Sequence, residues 1–483
     1  MSTRRALLFS FLDRYAGLAL SILSSIVIAR LLTPAELGVF SVTMILILFV
    51  STMRDLGAGQ FMVQVKELTP DGIRSTWAVM LGMGLAMSLV VLAMAYPMSW
   101  LYKDPRIVTI MSVIAVNFVI SPFGSLTYAW LMREMKFESL AIMRLVGSVA
   151  GAFTSVLLAY LDHGPVSLAY GQLVATIVNA LMALHYRPAH FAWAPGLKDV
   201  RQVVGFGGKI TLSTIVNSLA SGAAELFLGR LQSLAAAGYY SRANGLATMF
   251  QRLVLDATQA VAIPLFARAR REQGNFEEPF LKATAYVTAL GWTFYLWLAM
   301  LAFPVTRLLY GSQWDASVDA TRWLALGMAI SVPCAMCTQA LMASGKASQL
   351  LYLSTMSAAL QIFAAACGAS ISLEGAAIGY VLAQTAMTPL WLLYTRRATA
   401  YSWARVSRSL LTSAALALVT CAPLMATLLH VGARPEHGMS WIVGAVLLGC
   451  ALFPMAALLL RHPLSDEIRT LRTRLFERAR MHK

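Results

Sequence analysis

The sequence predicts an all-α polytopic membrane protein of about 14 transmembrane helices, built as two parallel-related six-helix bundles plus two C-terminal helices. Three observations predict this. The 483 residues are 58% hydrophobic and only 12% charged, with a mean hydropathy of +0.68; soluble domains carry about 25% charged residues. Apolar runs of about 20 residues recur along the chain, with no long polar insertion between them. Finally, a pattern written in the first half returns in the second. "IARLLTPAELGVFS" (Ile28 to Ser41) is echoed by "LGRLQSLAAAGYYS" (Leu228 to Ser241), with Arg, Leu, Ala, Gly and Ser at the same spacings and Phe40 answered by Tyr240.

Taken in order, the first span is 12–30. It follows a basic start, but Asp13 and Arg14 interrupt the apolar run and no small-residue cleavage site follows, so it reads as an uncleaved span rather than a signal peptide. Spans two to six fall at 36–56, 74–96, 106–130, 139–161 and 164–186. Thr33 is placed to cap the second and Pro34 to open it. "GSVAG" (Gly147 to Gly151) in the fifth is a small-xxx-small pattern that suits helix packing. These spans make the N-terminal bundle, 1–190. A linker at 191–205 carries Leu197, Val200, Val203 and Val204 at helical spacing, as for an amphipathic helix on the cytoplasmic surface.

The C-terminal bundle, 206–400, holds spans at 207–229, 236–258, 281–303, 318–342, 347–371 and 374–395. Two additional spans, 407–430 and 438–460, occupy 401–462. The tail, 463–483, reads as a basic amphipathic helix: Ser465 caps, Asp466 and Glu467 suit the first turn, and Ile468, Leu471 and Leu475 make a stripe. Membrane lipids, anionic ones above all, are the expected partners of linker and tail.

The repeat extends beyond the opening echo. Ser121 and Ser331 each sit beside a proline, Pro122 and Pro333; "LMREMKFESL" (Leu131 to Leu140) matches "LMASGKASQL" (Leu341 to Leu350); "WLYKD" at Trp100 and "LLYGSQW" at Leu308 precede corresponding spans. A displacement by six spans, an even number, keeps both halves in the same orientation. Parallel repeats about an axis along the membrane normal are a transporter architecture, in which one half rocks against the other.

The net charge of +16 does not point to nucleic acid. Most of the Lys and Arg cluster in the N-terminus, the even-numbered connections and the tail, which by the positive-inside rule puts both termini in the cytoplasm. The five cysteines, Cys334, Cys337, Cys367, Cys421 and Cys450, all fall in spans and read as small packing residues; no His or second Cys pair accompanies "PCAMC" as a metal site would require. No P-loop, HExxH or GxSxG motif is present, and the outer connections are short. Neither enzymatic activity, a cofactor nor a metal is expected, so energy would come from an ion gradient or from the substrate gradient.

Charges inside spans cost at least about 2.5–3.5 kcal/mol on insertion scales, so each asks for a reason. In the cytoplasmic third lie Asp13, Arg14, Arg54, Asp55, Arg144, Arg252 and Asp256; nearer the outer side lie Glu225, Arg242 and Arg322. Arg252 and Asp256, four apart, are spaced to pair along one helix face. Glu225 and Arg242 share a depth on consecutive spans. Arg14, Arg54 and Arg144 lack local neutralising partners and suggest a cationic, water-filled cavity opening to the cytoplasm, where guanidinium forks suit a phosphate or pyrophosphate. Asp55, Glu225 and Asp256 are the acidic candidates for ion coupling. Asn117, Asn179, Asn217, Asn244, Gln251 and Gln259 suit hydroxyl-rich cargo or tie helices together.

"ARLLTPAELG", "RDLGAGQ" (Arg54 to Gln60), "LYKDP", "LMREMKF" and "LLYGSQW", in this order over most of 1–400, resemble the bacterial polysaccharide-export family of the multidrug/oligosaccharidyl-lipid/polysaccharide exporter superfamily, especially its exopolysaccharide and lipopolysaccharide O-unit flippases. Leu37 departs from the aromatic that the family commonly has before the glycine. The resemblance implies two six-helix bundles around a V-shaped cavity in the bacterial inner membrane. Its implied cargo is an undecaprenyl-pyrophosphate-linked glycan flipped from the cytoplasmic to the periplasmic face, with a polysaccharide polymerase or glycosyltransferases of the same pathway as candidate partners. Arg14, Arg54, Arg144 and Arg252, with Arg242, are the expected substrate contacts, assigned by depth. Two alternatives stand: a multidrug exporter of the same superfamily, disfavoured by the excess of arginine over carboxylate, and a membrane polymerase or ligase of the polysaccharide pathway.

Overall fold

The computed structural model describes residues 3–54, 58–65, 67–189, 191, 193–200, 218–273, 277–431, 439–467 and 469–470. Among these there is no strand: the chain is a succession of helices that divides into two compact units, Met1–Tyr239 and Tyr240–Lys483. Nine described helices are long and apolar enough to cross a membrane, or ten if one bent pair counts as a span. The predicted segment 207–229 lies partly outside the described residues, and 236–258 carries Arg242, Arg252, Asp256 and an irregular turn. The protein is a multi-pass all-α membrane protein.

The first unit begins with α1 (Thr3–Leu31) and α2 (Pro34–Arg54). The corner between them is a capping box. The Thr33 N–H and hydroxyl both donate to Glu36 Oε2 at 2.8 Å, and the Glu36 N–H returns to Thr33 Oγ1 at 3.4 Å. Pro34 then opens α2, where a missing N–H costs nothing. There follow α3 (Ala58–Gln64), α4 (Pro70–Tyr102), α5 (Arg106–Arg133), α6 (Phe137–Tyr160) and α7 (Val166–Tyr186). A further helix, α8, runs through 218–231, and α9 (Leu234–Ala247) starts in this unit.

Small residues let these helices approach, as expected where lipid offers apolar surface of its own and packing must supply the attraction. The "GSVAG" stretch of α6 is such a seam. A Cβ on Gly151 would lie 2.8 Å from the Gly171 carbonyl of α7, and one on Gly147 would collide with the Asn179 side chain. The echoed corners meet in the same way. A Cβ on Gly38 would strike the Leu234 carbonyl, and one on Gly238 the Pro34 carbonyl. The pattern is written twice because the start of α2 packs backbone to backbone against the start of α9, and each side needs its glycine.

Described residues of the segment after α7, among them Trp193, Gly196 and Asp199 of the linker, bond the first turns of α4. Trp77 Nε1 donates to the Trp193 carbonyl at 2.9 Å, the Gly196 N–H to the Arg74 carbonyl at 3.1 Å, and the Asp199 N–H to Ser75 Oγ at 3.0 Å. The Arg187 guanidinium lies 3.7 Å from the Trp193 ring centre and 5.5 Å from that of Trp77, and burial pushes its pKa below the usual range. The expected amphipathic helix of the linker lies largely outside the described residues, as does most of the expected tail helix.

In the second unit, the chain of α9 passes through a π-turn (Gln251–Leu255) into α10 (Asp256–Gln273). Next come α11 (Glu277–Met300) and α12 (Ala302–Tyr310), bent by 74° from one another. A 3₁₀ turn (Ser312–Ser317) leads to α13 (Val318–Ser331), a second 3₁₀ turn (Val332–Cys334) to α14 (Cys337–Ala343), and then to α15 (Ala347–Ile371) and α16 (Leu373–Thr399). The last two helices, α17 (Trp403–Val431) and α18 (Met439–Leu459), pack on α11. Thr288 Oγ1 of α11 donates to Ser413 Oγ of α17 at 2.9 Å, and Gly449 of α18 abuts the Thr420 carbonyl and the Trp297 ring. Apolar side chains such as Leu89, Phe153, Leu181, Phe363 and Leu418 stand exposed around both units, which suits acyl chains rather than water.

The repeat is also legible in the backbone. The Met135 N–H bonds the Met132 carbonyl at 3.1 Å and the Lys136 N–H the Leu131 carbonyl at 2.9 Å; the Gly345 N–H and Lys346 N–H make the same two bonds, to Met342 and Leu341, each at 3.0 Å. Both are left-handed helix caps, with φ of 54° at Met135 and 69° at Gly345.

Candidate functional site

Of the sequence-predicted site residues in the first unit, Arg14 lies on α1 and Arg54 is the last residue of α2. Their side chains, and Asp55 altogether, lie outside what the structure describes. Arg144, on α6, is exposed, with its guanidinium 5.1 Å from the ring centre of Tyr128 on α5. An arginine over an aromatic face keeps its charge accessible while part of its solvation is replaced by the ring. Glu225, on α8, is 6% exposed and accepts a hydrogen bond from the Ser41 hydroxyl of α2. Ser41 is the final residue of the echoed pattern. Glu225 and Arg144 thus stand in different neighbourhoods, one between helices and one on a helix surface.

In the second unit, Arg242 on α9 sits 5.8 Å from the Tyr310 ring centre and 5.9 Å from that of Trp314, two rings that meet edge to face. These aromatics come from α12 and the 3₁₀ turn after it, far along the chain, and sequence reading did not find them. Arg252 and Asp256 fall on the π-turn and the residue that follows it. A π-turn brings residues five apart into line, so the Gln251 amide donates to Asp256 Oδ1 at 2.9 Å. Gln251, expected to line a cargo path or to tie helices, bonds this carboxylate on its own helix.

The remaining polar residues sort by role. Gln259 Nε2 donates to the Ala335 carbonyl at 3.1 Å and ties α10 to the break between α13 and α14. Asn179 packs against Gly147. Arg133 closes the end of α3, its Nη1 donating to the carbonyls of Met62 at 2.8 Å and Val65 at 2.7 Å. The cysteines are all free thiols, and Cys334 Sγ donates to the Thr388 carbonyl at 3.4 Å. The first unit therefore carries Arg144 against an aromatic ring and the buried carboxylate of Glu225, and the second carries Arg242 against two rings and Arg252 on the π-turn, beside the exposed Asp256.

Known proteins share this architecture. The chain is 25% identical to the "Succinoglycan biosynthesis transport protein ExoT" of Rhizobium meliloti (strain 1021), over 98% of this chain and 95% of that one. It is 22% identical to the "Lipopolysaccharide biosynthesis protein WzxC" of Escherichia coli (strain K12), over 64% of this chain and 63% of that one. Among solved structures, the "Lipid II flippase MurJ, inward closed conformation" superposes with a TM-score of 0.76 at 12% identity, covering 96% of this chain and all of that one. An inward-facing multidrug resistance MATE family transporter of the MOP superfamily superposes with a TM-score of 0.64 at 16% identity, covering 80% of this chain and 95% of that one. The helices described above thus share the fold of these two structures. The family model described as "Polysaccharide biosynthesis protein" matches residues 27–319, more than half of the sequence, and the chain belongs to that family.

Proposed function

We propose that this protein flips undecaprenyl-pyrophosphate-linked oligosaccharide repeat units across the bacterial inner membrane, for exopolysaccharide or lipopolysaccharide synthesis, by alternating access of its two repeats. The observation that carries the reading is one alignment. A polysaccharide transport protein matches 98% of the chain, on a fold shared with a lipid II flippase. In this reading the chain has fourteen spans, with both termini in the cytoplasm, and is a transporter rather than an enzyme. Arg14, Arg54, Arg144, Arg252 and Arg242 meet the anionic head group, because guanidinium charge held on apolar helices is worth more there than in water. Asp55, Glu225 and Asp256 are the candidates for ion coupling, with the burial of Glu225 in its favour. A polymerase or glycosyltransferases acting before or after translocation are the expected partners.

The test is to delete the gene and locate the pyrophosphate-linked glycan by leaflet, with a sugar-labelling reagent that does not cross the membrane. Accumulation of glycan shielded on the cytoplasmic side, relieved by the intact gene, is the expected result. Normal arrival at the outer face would assign translocation to another protein. Export unchanged after neutralising the arginines singly and in pairs would remove them from the site.

A further inference from the structure

We propose that the corner between α4 and α5, closed by the end of α8, binds the phosphate-bearing head group of a lipid. A cleft of about 440 Å³ opens there, lined among others by Ser99, Trp100, Lys103, Asp104, Pro105 and Arg230. That volume lies within the ~300–1,000 Å³ typical of small-ligand clefts.

The charge of the cleft follows from its hydrogen bonds. Asp104, its one acidic residue, is 8% exposed and fully engaged. It accepts the Arg106 N–H at 2.9 Å, and its two oxygens take the Arg106 guanidinium at 2.6–3.2 Å. Burial opposes the charge of this carboxyl, but the bonds and attraction of Arg106 prevail and hold its pKa below the usual range. Lys103 and Arg230 are both exposed, and among the described residues neither has a carboxylate at ion-pair distance. The cleft thus presents two uncompensated cations, a setting for charge-assisted bonds to phosphate oxygens.

The helix ends that carry the two cations are tied together. The Tyr102 hydroxyl donates to the Leu226 carbonyl of α8 at 3.3 Å. A Cβ on Gly229 would lie 2.8 Å from Val42 Cγ2 and 3.3 Å from the Tyr102 ring, so α8 is pressed against α2 and α4 immediately before Arg230.

Lys103 also occupies a position that would suit glycine better. Its φ is 56°, in the left-handed region, which costs a side-chain-bearing residue about 1–2 kcal/mol. The matching corner of the second repeat uses Gly311, with φ of 98°. A glycine at position 103 would relieve the turn.

A lipid rather than a free anion is indicated by the aromatics. Trp100 is 85% exposed and Tyr96, one turn earlier on the same face of α4, is 75% exposed. Exposed Trp and Tyr at the end of an apolar span mark head-group depth. Two lipids carry the required chemistry there: an anionic phospholipid of the leaflet and a polyprenyl diphosphate. The second source rests on the flippase reading; the site itself does not.

The full-length protein in phosphatidylcholine nanodiscs would be titrated with farnesyl pyrophosphate, with short-chain phosphatidylglycerol and, as neutral control, with short-chain phosphatidylcholine. The variant is Lys103→Gly with Arg230→Gln, in which the glycine relieves the left-handed turn and so preserves the fold. The expected result is a loss of about tenfold or more in affinity for at least one anionic probe, with the neutral probe and the thermal midpoint unchanged. Loss confined to farnesyl pyrophosphate identifies a cargo site, and loss for phosphatidylglycerol a leaflet-lipid site. Wild-type affinity for both anionic probes would overturn the proposal. Because export is not the readout, that outcome is separate from a failure of the flippase reading.

Discussion

Span α5 of the first unit and its counterpart in the second both contain a proline within two residues after the repeated serine, yet one is continuous and the other broken. Pro122 lies inside an uninterrupted α5. Lacking an N–H, it leaves the Phe118 carbonyl without its helical partner. That carbonyl faces Gly84 of α4, where a Cβ would come within 2.5 Å of it and within 2.9 Å of Pro122 Cγ. Pro333 frees the Ala329 carbonyl in the same way, but there Trp292 Nε1 donates to it at 2.8 Å. Thr388 Oγ1 bonds the Ile330 carbonyl at 3.3 Å and Gln259 the Ala335 carbonyl at 3.1 Å. Proline alone therefore does not decide whether a span breaks. The neighbouring helix does: a glycine lets two backbones close over the defect, whereas side-chain donors support an open 3₁₀ turn. Freed backbone in a membrane persists only where protein satisfies it.

The comparison sets the order of expected effects. Gly84→Val should be the most damaging, because backbone and a proline ring leave the new side chain nowhere to go; overpacking of this kind costs about 3 kcal/mol, read as a large drop in thermal midpoint or loss of folded protein. Trp292→Phe keeps the ring but strands the Ala329 carbonyl, for about 1–3 kcal/mol. A midpoint equal to wild type would show that the indole bond does not support the break.

The second unit caps helix ends with side chains elsewhere too, and His462 makes this pH-dependent. It is fully buried after α18, where its Nδ1 accepts the Leu464 N–H at 3.2 Å and its Nε2 lies 3.0 Å from Ser413 Oγ. Burial lowers its pKa from 6.5 to about 4. The unfolded chain therefore takes up a proton below about 6.5 that the folded chain refuses until about 4. Its stabilising effect is present in full above that window and declines as pH falls through it. Thermal midpoints at pH 7.5 and pH 5 should differ more in the wild type than in His462→Gln; equal differences would remove His462 as the cause.

The smallest effect tests the matched caps. Met135→Gly should stabilise by about 1 kcal/mol and Gly345→Met should destabilise by a similar amount, since both positions are left-handed and only one has the residue suited to it. Shifts of the same sign would show that the caps are not equivalent.

What the sequence disclosed follows from these cases. Thr33 and Pro34 announced the corner before α2 and "GSVAG" announced a helix-packing seam, because each depends on residue type at short spacing; the echo announced a duplication but not the contact of Gly38 with the start of α9. The π-turn at Gln251–Leu255 was not legible, since an apolar run has the same composition whether its turns hold 3.6 residues or more. Nor was the setting of Arg242, whose rings arrive from α12 and beyond. Depth is readable from position along a span. The face is not, when nearly every neighbour is apolar, so the arginines could be ranked by level but not assigned their surroundings.

The length of α4 has a mechanical consequence. Its 33 residues extend about 50 Å at 1.5 Å per residue, against a hydrocarbon layer of about 30 Å. Even at a steep tilt of about 40° such a rod overshoots the layer at its ends. One end carries the linker strap, the other the Lys103 cleft. Thickening the bilayer by a few ångströms should therefore alter the inclination of the rod, while both ends stay at the wet surfaces where their polar partners work.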